Sequence, residues 1–271
     1  MKKSTALLLG AAAVAVPAFV LAPGVATKRQ KAPFMGVNFA HRGLHSRDTV
    51  VPENSLEAFR LAAENGYGIE LDVQLSKDGY VMVFHDDTLD RVCGVSGRVD
   101  EFTYEELMQL RLCGSDQSIP LLREVLDVVN GRIPLMVELK PGKRNKELCE
   151  KTYAELSEYR GDVCIESFNP FMVMWFRFHG RDLVRGQLAM RAKGYKNQPE
   201  YLGKLLSHTF FNFLARPHFI SYEVCRKKPI GARIAELMGA MKVCWTSHEP
   251  RNEIGRDAVI FEFYKPRPKF K

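Results

Sequence analysis

Short apolar runs recur along the chain, and the clearest of them alternates strictly with polar residues. In residues 68–75 the odd-numbered positions are apolar, whereas Glu70 and Asp72 occupy even-numbered positions. A period of two is typical of a half-buried strand. Runs of this kind predict eight strands, near residues 37–40, 68–75, 80–85, 133–139, 163–168, 184–189, 218–224 and 242–246.

Helical patterns separate most of these runs. In residues 102–110 and 120–129 the apolar residues recur three or four positions apart, which is typical of amphipathic helices. The chain has 271 residues, and the roughly 240 that follow an N-terminal hydrophobic segment suit one eight-stranded α/β barrel. We therefore predict an α/β fold, a TIM-type (β/α)8 barrel. The long interval after residue 85 predicts a small cap insertion at residues 87–120, over the barrel mouth.

Acidic residues fall near the ends of two predicted strands. Glu70 and Asp72 share one face of their strand because side chains two positions apart point the same way. Inside a barrel, two carboxylates need a compensating cation. Glu138 adds a third carboxylate, and Lys140 adds a positive charge two positions later. Oxygen ligands of this kind suit a hard divalent ion.

Two histidines stand where apolar runs end. His41 follows residues 37–40 and His85 follows residues 80–84, so both are candidates for general acid and general base work near neutral pH. A lone histidine at a strand end is more often a packing or surface residue, and the acidic residues are what favour a catalytic interpretation here. The other histidines keep the packing interpretation: His45, His179, His208, His218 and His248.

An ordered series of motifs resembles the glycerophosphodiester phosphodiesterase family, and it extends over roughly residues 35 to 265. A three-residue motif such as His-Arg-Gly is weak alone, but the order of the whole series is specific. The motifs are Ala40-His41-Arg42-Gly43, Pro52-Glu53-Asn54-Ser55, the run from Glu70 to Gly79, Val83-Phe84-His85-Asp86, Val137-Glu138-Leu139-Lys140, Glu166-Ser167-Phe168-Asn169 and Val243-Cys244-Trp245-Thr246.

The resemblance implies a TIM-type barrel enzyme that uses a divalent metal, Ca or Mg, to hydrolyse glycerophosphodiesters to sn-glycerol 3-phosphate and an alcohol. It implies roles for nine residues: His41 and His85 as acid and base, Glu70, Asp72 and Glu138 as metal ligands, Arg42 and Lys140 on the phosphate, and Phe168 and Trp245 flanking the glycerol.

Four other places near the predicted site carry weaker signals. The segment from Trp245 to His248 and the segment from Asp257 to Glu262 depart from the family's usual pattern. Glu53 either touches the site or belongs to the start of a helix, because Asn54 or Ser55 is a candidate helix N-cap. The acid after His85, Asp86, is expected to orient the histidine or to lie in a loop.

The N-terminus is expected to be a separate segment. Met1-Lys2-Lys3 precedes an apolar stretch from Ala6 to Ala26, which is long enough for a bilayer at about 20 residues. A transmembrane anchor with a basic flank competes with a secretory signal peptide, and we favour the anchor. We therefore expect residues 1–31 to tether a barrel domain, residues 32–271, to the cell membrane, with secretion as the alternative.

Charge and cysteines change this picture little. The formal net charge is +7, but no nucleic-acid recognition motif accompanies it, and attraction to anionic lipids or phosphodiesters explains it equally well. Six cysteines without zinc-type spacing are expected to be free thiols. The apolar cluster at residues 210–214 reads as a buried helix or as an apolar surface near the mouth, with burial favoured.

Three functions remain open at this stage. The leading one is hydrolysis of glycerophosphodiesters. The second is a lysophospholipase D or a phosphoinositide-type phospholipase on the same barrel. The third is a non-catalytic, membrane-tethered protein that binds phosphate esters, which a complete set of metal and histidine positions disfavours.

Overall fold

The computed structural model describes residues 16–270. Within that range eight parallel strands close into a barrel, because each pairs with its neighbour and the last strand returns to the first. The barrel strands are β1 (Val37–His41), β2 (Gly68–Leu75), β4 (Leu135–Leu139), β5 (Val163–Ser167), β6 (Val184–Ala189), β7 (Phe219–Glu223), β8 (Met241–Ser247) and β9 (Ala258–Phe261). The predicted TIM-type barrel is confirmed.

Helices connect most of the barrel strands and pack on the outside of the barrel. Within residues 16–270 the α-helices after residue 27 are α1 (Lys28–Lys31), α2 (Leu56–Glu64), α3 (Asp90–Cys93), α4 (Tyr104–Met108), α5 (Leu122–Val129), α6 (Asn145–Glu158), α7 (Pro170–His179), α8 (Glu200–Ser207), α9 (Asn212–Ala215) and α10 (Ile230–Leu237). The apolar faces of α2, α5, α6 and α7 bury one large cluster against the outward side chains of the strands.

One predicted barrel strand has a different role. Residues 81–83 form β3 (Val81–Val83), which pairs antiparallel with the end of β2 and lies outside the barrel. The eighth barrel strand is instead β9, which was not predicted because residues 80–85 had been counted as one of the eight. The interpretation of residues 80–85 as a barrel strand was therefore wrong.

The predicted cap insertion is present and has a core of its own. Nine buried apolar residues between 82 and 121 form a separate cluster that includes Leu89, Val99, Leu107 and Leu112. An isolated bridge between Met82 and Leu121 joins the two ends of the insertion. The insertion therefore folds as a compact unit beside the barrel.

Phe34 packs at the floor of the barrel, at the N-terminal ends of the strands. Phe34 is only 3% exposed and belongs to a cluster with Val37, Phe219 and Met241, each of which is the first residue of its strand. The opposite end, where the strands finish, is the end at which TIM barrels carry their sites.

The start of the described chain also packs at this floor. The Gly24 N–H donates to Pro217 O at 2.8 Å, and the Asn212 side chain donates to Leu21 O at 3.0 Å. Both partners belong to the segment that leads into β7. Residues 1–15 of the predicted anchor lie outside the described residues, and within residues 16–270 no helix is long and apolar enough to cross a bilayer.

Candidate functional site

Three carboxylates converge at the mouth end of neighbouring strands β2 and β4. Glu70 and Asp72 point into the barrel as the alternation predicted, and Asp72 lies beside Glu138 in the strand register. All three are buried, and one oxygen of each lies within 4.8 Å of the others. The parallel pairing of β2 and β4 thus brings Glu138 next to Glu70 and Asp72, and the three carboxylates form one cluster of oxygen ligands.

Two cations face this cluster. Lys140 Nζ lies 2.8 Å from Glu138 Oε1 and 3.4 Å from Asp72 Oδ1. The Arg42 guanidinium approaches Asp72 Oδ2 at 3.6 Å, and the Arg42 backbone N–H donates to Glu70 Oε2 at 3.1 Å. The predicted phosphate-binding residues therefore lie directly against the predicted metal ligands.

The turn after β1 explains how Arg42 reaches Glu70. Arg42 has a φ of 53°, and Gly43 follows at 81°. A Cβ at Gly43 would come within 2.8 Å of the Ala58 Cβ, so glycine is required where the turn passes α2. Left-handed backbone at this position turns the Arg42 N–H toward the carboxylates.

The carboxylates have displaced pKa values. Burial and repulsion from Asp72 and Glu138 raise the pKa of Glu70 well above its ordinary value. Burial also acts to raise the pKa of Asp72, but the Lys140 ammonium and the other nearby positive groups outweigh it and hold that pKa low. The cluster therefore carries buried negative charge, which a cation in addition to Lys140 and Arg42 would stabilise.

A divalent cation suits this cluster. Asp72 Oδ1 is buried and accepts no hydrogen bond from the described residues, while Asn54 Nδ2 donates to the other oxygen at 2.9 Å. Oxygen donors without nitrogen or sulfur are typical of calcium and magnesium sites. The residues present thus fit the metal that the motif series implied.

Each predicted catalytic histidine pairs with a carboxylate through Nδ1. His41 Nδ1 lies 3.2 Å from Glu262 Oε1, and His85 Nδ1 lies 2.6 Å from Asp86 Oδ1. A carboxylate on Nδ1 fixes the tautomer and leaves Nε2 available to exchange a proton. Burial lowers the pKa of His41, and the Glu262 carboxylate opposes that effect only in part.

His85 reaches the site by way of the hairpin between β2 and β3. This hairpin reverses the chain above the barrel rim, and the Phe84 N–H then donates to Asp72 O at 3.0 Å. That bond returns the chain to the level of the carboxylates one residue before His85. Asp86 has the orienting role that was one of its two predicted roles.

The sequence analysis missed Glu262 and His45. Glu262 directly follows β9, and it receives hydrogen bonds from both His41 and His45, the latter at 3.0 Å. Burial acts to raise the pKa of Glu262, but these two hydrogen bonds outweigh it and hold that pKa well below its ordinary value. Glu262 lay in a segment that departs from the family's usual pattern, and His45 had been given the packing interpretation.

Glu53 does touch the site, and Asn54 lies in it. Glu53 accepts a hydrogen bond from Arg42 at 2.7 Å and two from Arg91 of the cap insertion. Arg91 also pairs with Asp86, so a chain of ion pairs joins the barrel to the insertion. The helix N-cap is Ser55, whose hydroxyl accepts from the Ala58 N–H.

A fourth buried acid, Glu166, faces the same space from β5. It pairs with Glu138 in the strand register and is 1% exposed. Burial and repulsion from Glu138 raise its pKa well above the ordinary value. Glu166 belongs to the motif Glu166-Ser167-Phe168-Asn169, but the sequence did not reveal that its side chain points into the barrel.

Two aromatic side chains form one wall of the cavity. Phe168 and Trp245 meet edge to face, with ring centroids 5.5 Å apart, and Trp245 Nε1 donates to Ser221 O at 3.1 Å. The cavity has a volume of about 130 Å³. Seven of the nine predicted residues line it, namely His41, Arg42, Glu70, His85, Glu138, Phe168 and Trp245, while Asp72 and Lys140 lie in contact with its carboxylates.

Comparisons with known proteins agree with this geometry. The model of the Glycerophosphoryl diester phosphodiesterase family matches residues 41–193, more than half of the 271 residues. Among curated proteins, human Glycerophosphodiester phosphodiesterase 1 is 34% identical over 157 residues, which are 54% of this chain and 46% of the human protein. The chain spans about half the length of the curated relatives it matches.

Solved structures match over most of the chain. A glycerophosphodiester phosphodiesterase from Thermotoga maritima is 27% identical with a TM-score of 0.63, over 83% of this chain and 93% of that one. An Oleispira antarctica phosphodiesterase in complex with the product sn-glycerol-3-phosphate is 24% identical with a TM-score of 0.69, over 85% of this chain and 94% of that one. At that lower identity the second match bears on the fold alone.

Proposed function

Because the chain belongs to the glycerophosphoryl diester phosphodiesterase family, we propose that it hydrolyses glycerophosphodiesters to sn-glycerol 3-phosphate and an alcohol. The observation that carries this proposal is the convergence of three buried carboxylates, two cations and two histidine–carboxylate pairs in and around one cavity. Hydrolysis of a phosphodiester needs compensation of charge on the phosphate, activation of water and protonation of the leaving alcohol.

Glu70, Asp72 and Glu138 are the residues that would hold a divalent ion, Ca²⁺ or Mg²⁺. Such an ion, when bound, supplies charge stabilisation at the phosphoryl oxygens and lowers the pKa of a coordinated water or hydroxyl. Without it, Lys140 compensates Glu138 and Asp72. With the ion bound, the negative charge of Asp72 and Glu138 would be neutralised by the metal. Lys140 and Arg42 would then be better able to bind the two non-bridging phosphate oxygens.

His41 and His85 have the two proton-transfer roles in this proposal. The pKa of His41 lies below that of free histidine because of burial. Its imidazole is therefore neutral at pH 7 and can accept a proton from the attacking water. His85, which is more exposed, donates a proton to the leaving alcohol, and Asp86 on its Nδ1 orients the imidazole for that transfer. Phe168 and Trp245 pack on the carbon atoms of the glycerol.

The test is release of glycerol 3-phosphate from glycerophosphocholine by the purified full-length chain in Ca²⁺, Mg²⁺ or EDTA. We expect turnover that EDTA abolishes and that Asp72→Asn lowers at least a hundredfold. Asp127→Asn, at an exposed position on α5, is the matched control and should turn over normally. Tight binding of glycerophosphocholine with no turnover in any metal would favour the non-catalytic binding protein instead.

We also propose that residues 1–31 tether residues 32–271 to the cell membrane. The support is the apolar stretch from Ala6 to Ala26 and the basic residues that follow it. The test is fractionation of cells that express the full chain, with a carbonate wash of the membranes. Recovery of a shortened protein outside the cells would favour the secreted alternative.

A further inference from the structure

Residues 16–25 pack at the floor of the barrel and expose apolar side chains there. Arg216 Nη1 donates to Phe19 O at 3.0 Å, and the guanidinium carbon of Arg216 lies 4.6 Å from the centroid of the Phe19 ring. Leu21 is buried, whereas Phe19 is more than half exposed and Val25 is 96% exposed. The segment is therefore fixed to the barrel on one side and presents hydrocarbon to solvent on the other.

Three more exposed apolar side chains lie where the chain returns to the floor. Phe178, near the end of α7, is more than half exposed, and Leu237, at the end of α10, is 82% exposed. Ile254, four residues before β9 begins, is 81% exposed. In a parallel barrel the segments between strands run from the mouth back to the floor. These side chains therefore lie at the same end of the molecule as Phe19 and Val25.

The floor is also strongly basic. It comprises residues 28–36 before β1, the loops that lead from the preceding helix into each of the other seven barrel strands, and residues 267–270. These segments contain ten basic and three acidic residues, so their net charge equals the +7 of the whole chain. Lys28 and Arg29 of α1 are among them and are exposed. The excess positive charge of the protein is thus concentrated at one end of the barrel.

The backbone of residues 267–270 holds two of these cations at the floor. Lys269 forms an isolated antiparallel bridge with Val37, the first residue of β1. Asn38 Nδ2 donates to Arg267 O at 2.8 Å. The side chains of Arg267 and Lys269 are exposed, so both charges are available to a partner at this end of the barrel.

The cap insertion, which Arg91 joins to the mouth, has the opposite charge. Residues 87–120 contain seven acidic and three basic residues. The molecule is therefore polarised along the barrel, with a basic floor and an acidic cap. Close to an anionic lipid surface this polarity turns the floor toward the lipid and the mouth away from it.

From these observations we propose that the floor of the barrel binds the surface of an anionic bilayer. The exposed apolar side chains enter the headgroup region, and the basic side chains contact the lipid phosphates. The inference rests on the proposed tether and deepens it by naming the face of the barrel that meets lipid. The catalytic mouth then faces water, so substrates arrive as dissolved glycerophosphodiesters, and phospholipids of the same bilayer do not reach His41 and His85.

Lysine labelling of the full chain identifies the face that meets the lipid. The vesicles contain equal parts of phosphatidylcholine and phosphatidylglycerol, and an amine reagent that does not cross bilayers is followed by mass spectrometry. We expect labelling of Lys28 and Lys269 to be lost on vesicles. Lys193 and Lys196, which are exposed in the loop after β6 at the mouth, should be labelled as in solution.

The other labelling patterns contradict the inference. Protection of Lys193 and Lys196, with or without protection of the floor lysines, would place the mouth on the lipid. Protection of neither pair would leave the floor away from the lipid. Vesicles of phosphatidylcholine alone should restore the labelling of Lys28 and Lys269, because the attraction is electrostatic.

Two double variants test the role of charge. Lys28→Gln with Arg29→Gln removes two exposed floor cations, and Lys193→Gln with Lys196→Gln removes two exposed mouth cations as the matched control. The readout is the protection of Lys269 in vesicle-bound protein, which does not depend on how residues 1–15 bind. The floor variant should lower this protection about twentyfold, and the control should leave it unchanged. Equal protection in the two variants would refute the basic floor.

Turnover on vesicles separates this inference from the proposed catalysis. We expect kcat/KM for glycerophosphocholine to be the same in solution and on phosphatidylglycerol vesicles, and no phosphatidic acid to be released from the vesicles. Turnover that is normal in solution but lost on vesicles would show that lipid covers the mouth, and it would overturn only the inference. Absence of turnover in both conditions would contradict the proposed catalysis, while the labelling pattern still decides the orientation. The carbonate wash tests the tether separately.

Discussion

Glu262 holds His41 through a hydrogen bond of 3.2 Å between its Oε1 and the histidine Nδ1. The glutamate is supplied by the end of β9 and the histidine by the end of the adjacent β1. This pairing orients the imidazole that we propose as the general base. It also joins the last barrel strand to the first one at the catalytic centre.

Glu262→Gln should lower kcat by about ten- to a hundredfold, the decrease expected from the loss of one hydrogen bond to a charged group. KM should change little. The substitution should also move the acidic limb of the pH–kcat/KM profile to lower pH, because Glu262 acts to raise the pKa of His41. Glu249→Gln, a surface variant, is the control. An unmoved acidic limb would mean that His41 is not the base.

A divalent metal should stabilise the folded protein, because the buried carboxylates bind it in the native state only. When the free metal concentration is a hundred times the dissociation constant, the free energy of unfolding should rise by about 2.7 kcal/mol. Calorimetric melting should therefore show a Tm several degrees higher in Ca²⁺ or Mg²⁺ than in EDTA. The shift should disappear in Asp72→Asn, and its persistence there would place the metal elsewhere.

Arg91→Ala should affect catalysis more than stability. Arg91 bridges Glu53 and Asp86 from a half-exposed position, so its loss should change the free energy of unfolding by less than about 1 kcal/mol. Asp86 would lose a partner, and kcat should fall about three- to tenfold. Arg60→Ala, which removes comparable ion pairs on α2, should leave kcat intact.

His218 should make the fold sensitive to acid. Burial and nearby Arg185 lower the pKa of His218 to about 3, against an ordinary value of 6.5. Between these values the unfolded chain binds a proton that the native chain does not, so stability falls as the pH drops below about 6.5.

The change in unfolding free energy between pH 7 and pH 5 isolates this contribution. From the linkage relation His218 accounts for about 2 kcal/mol of the loss over that interval. Urea unfolding of His218→Gln at the two pH values should show a pH dependence smaller by that amount. An identical dependence in the two proteins would show that His218 is protonated at little cost.

The sequence pattern was sufficient where the chemistry coincides with strand periodicity. Glu70 and Asp72 were identified as an inward pair because a period of two is visible locally, and Glu138 and Lys140 followed by the same rule. Glu262 was missed for a physical reason. Its partner His41 is over two hundred residues away, and the apolar run before Glu262 does not record which strand it pairs with.

His85 lines the cavity, but the strand assignment that placed it there was only partly right. An apolar run does deliver it, but the run is a hairpin strand outside the barrel. Side chains alternate with a period of two in both antiparallel and parallel strands, so that period does not identify the pairing partner of a short apolar run. Tertiary packing determines which strand a given strand pairs with, and the sequence of residues 80–85 alone does not indicate that partner.

The hairpin has a consequence for how activity can be lost. His41 and the carboxylates belong to the barrel, whereas His85 leads into the insertion with its separate core. Local opening of the insertion would withdraw one proton carrier while the barrel and its carboxylate cluster stay intact. Inactivation on mild heating should therefore precede global unfolding, and protease cleavage at residues 94–98 should accompany the loss of turnover.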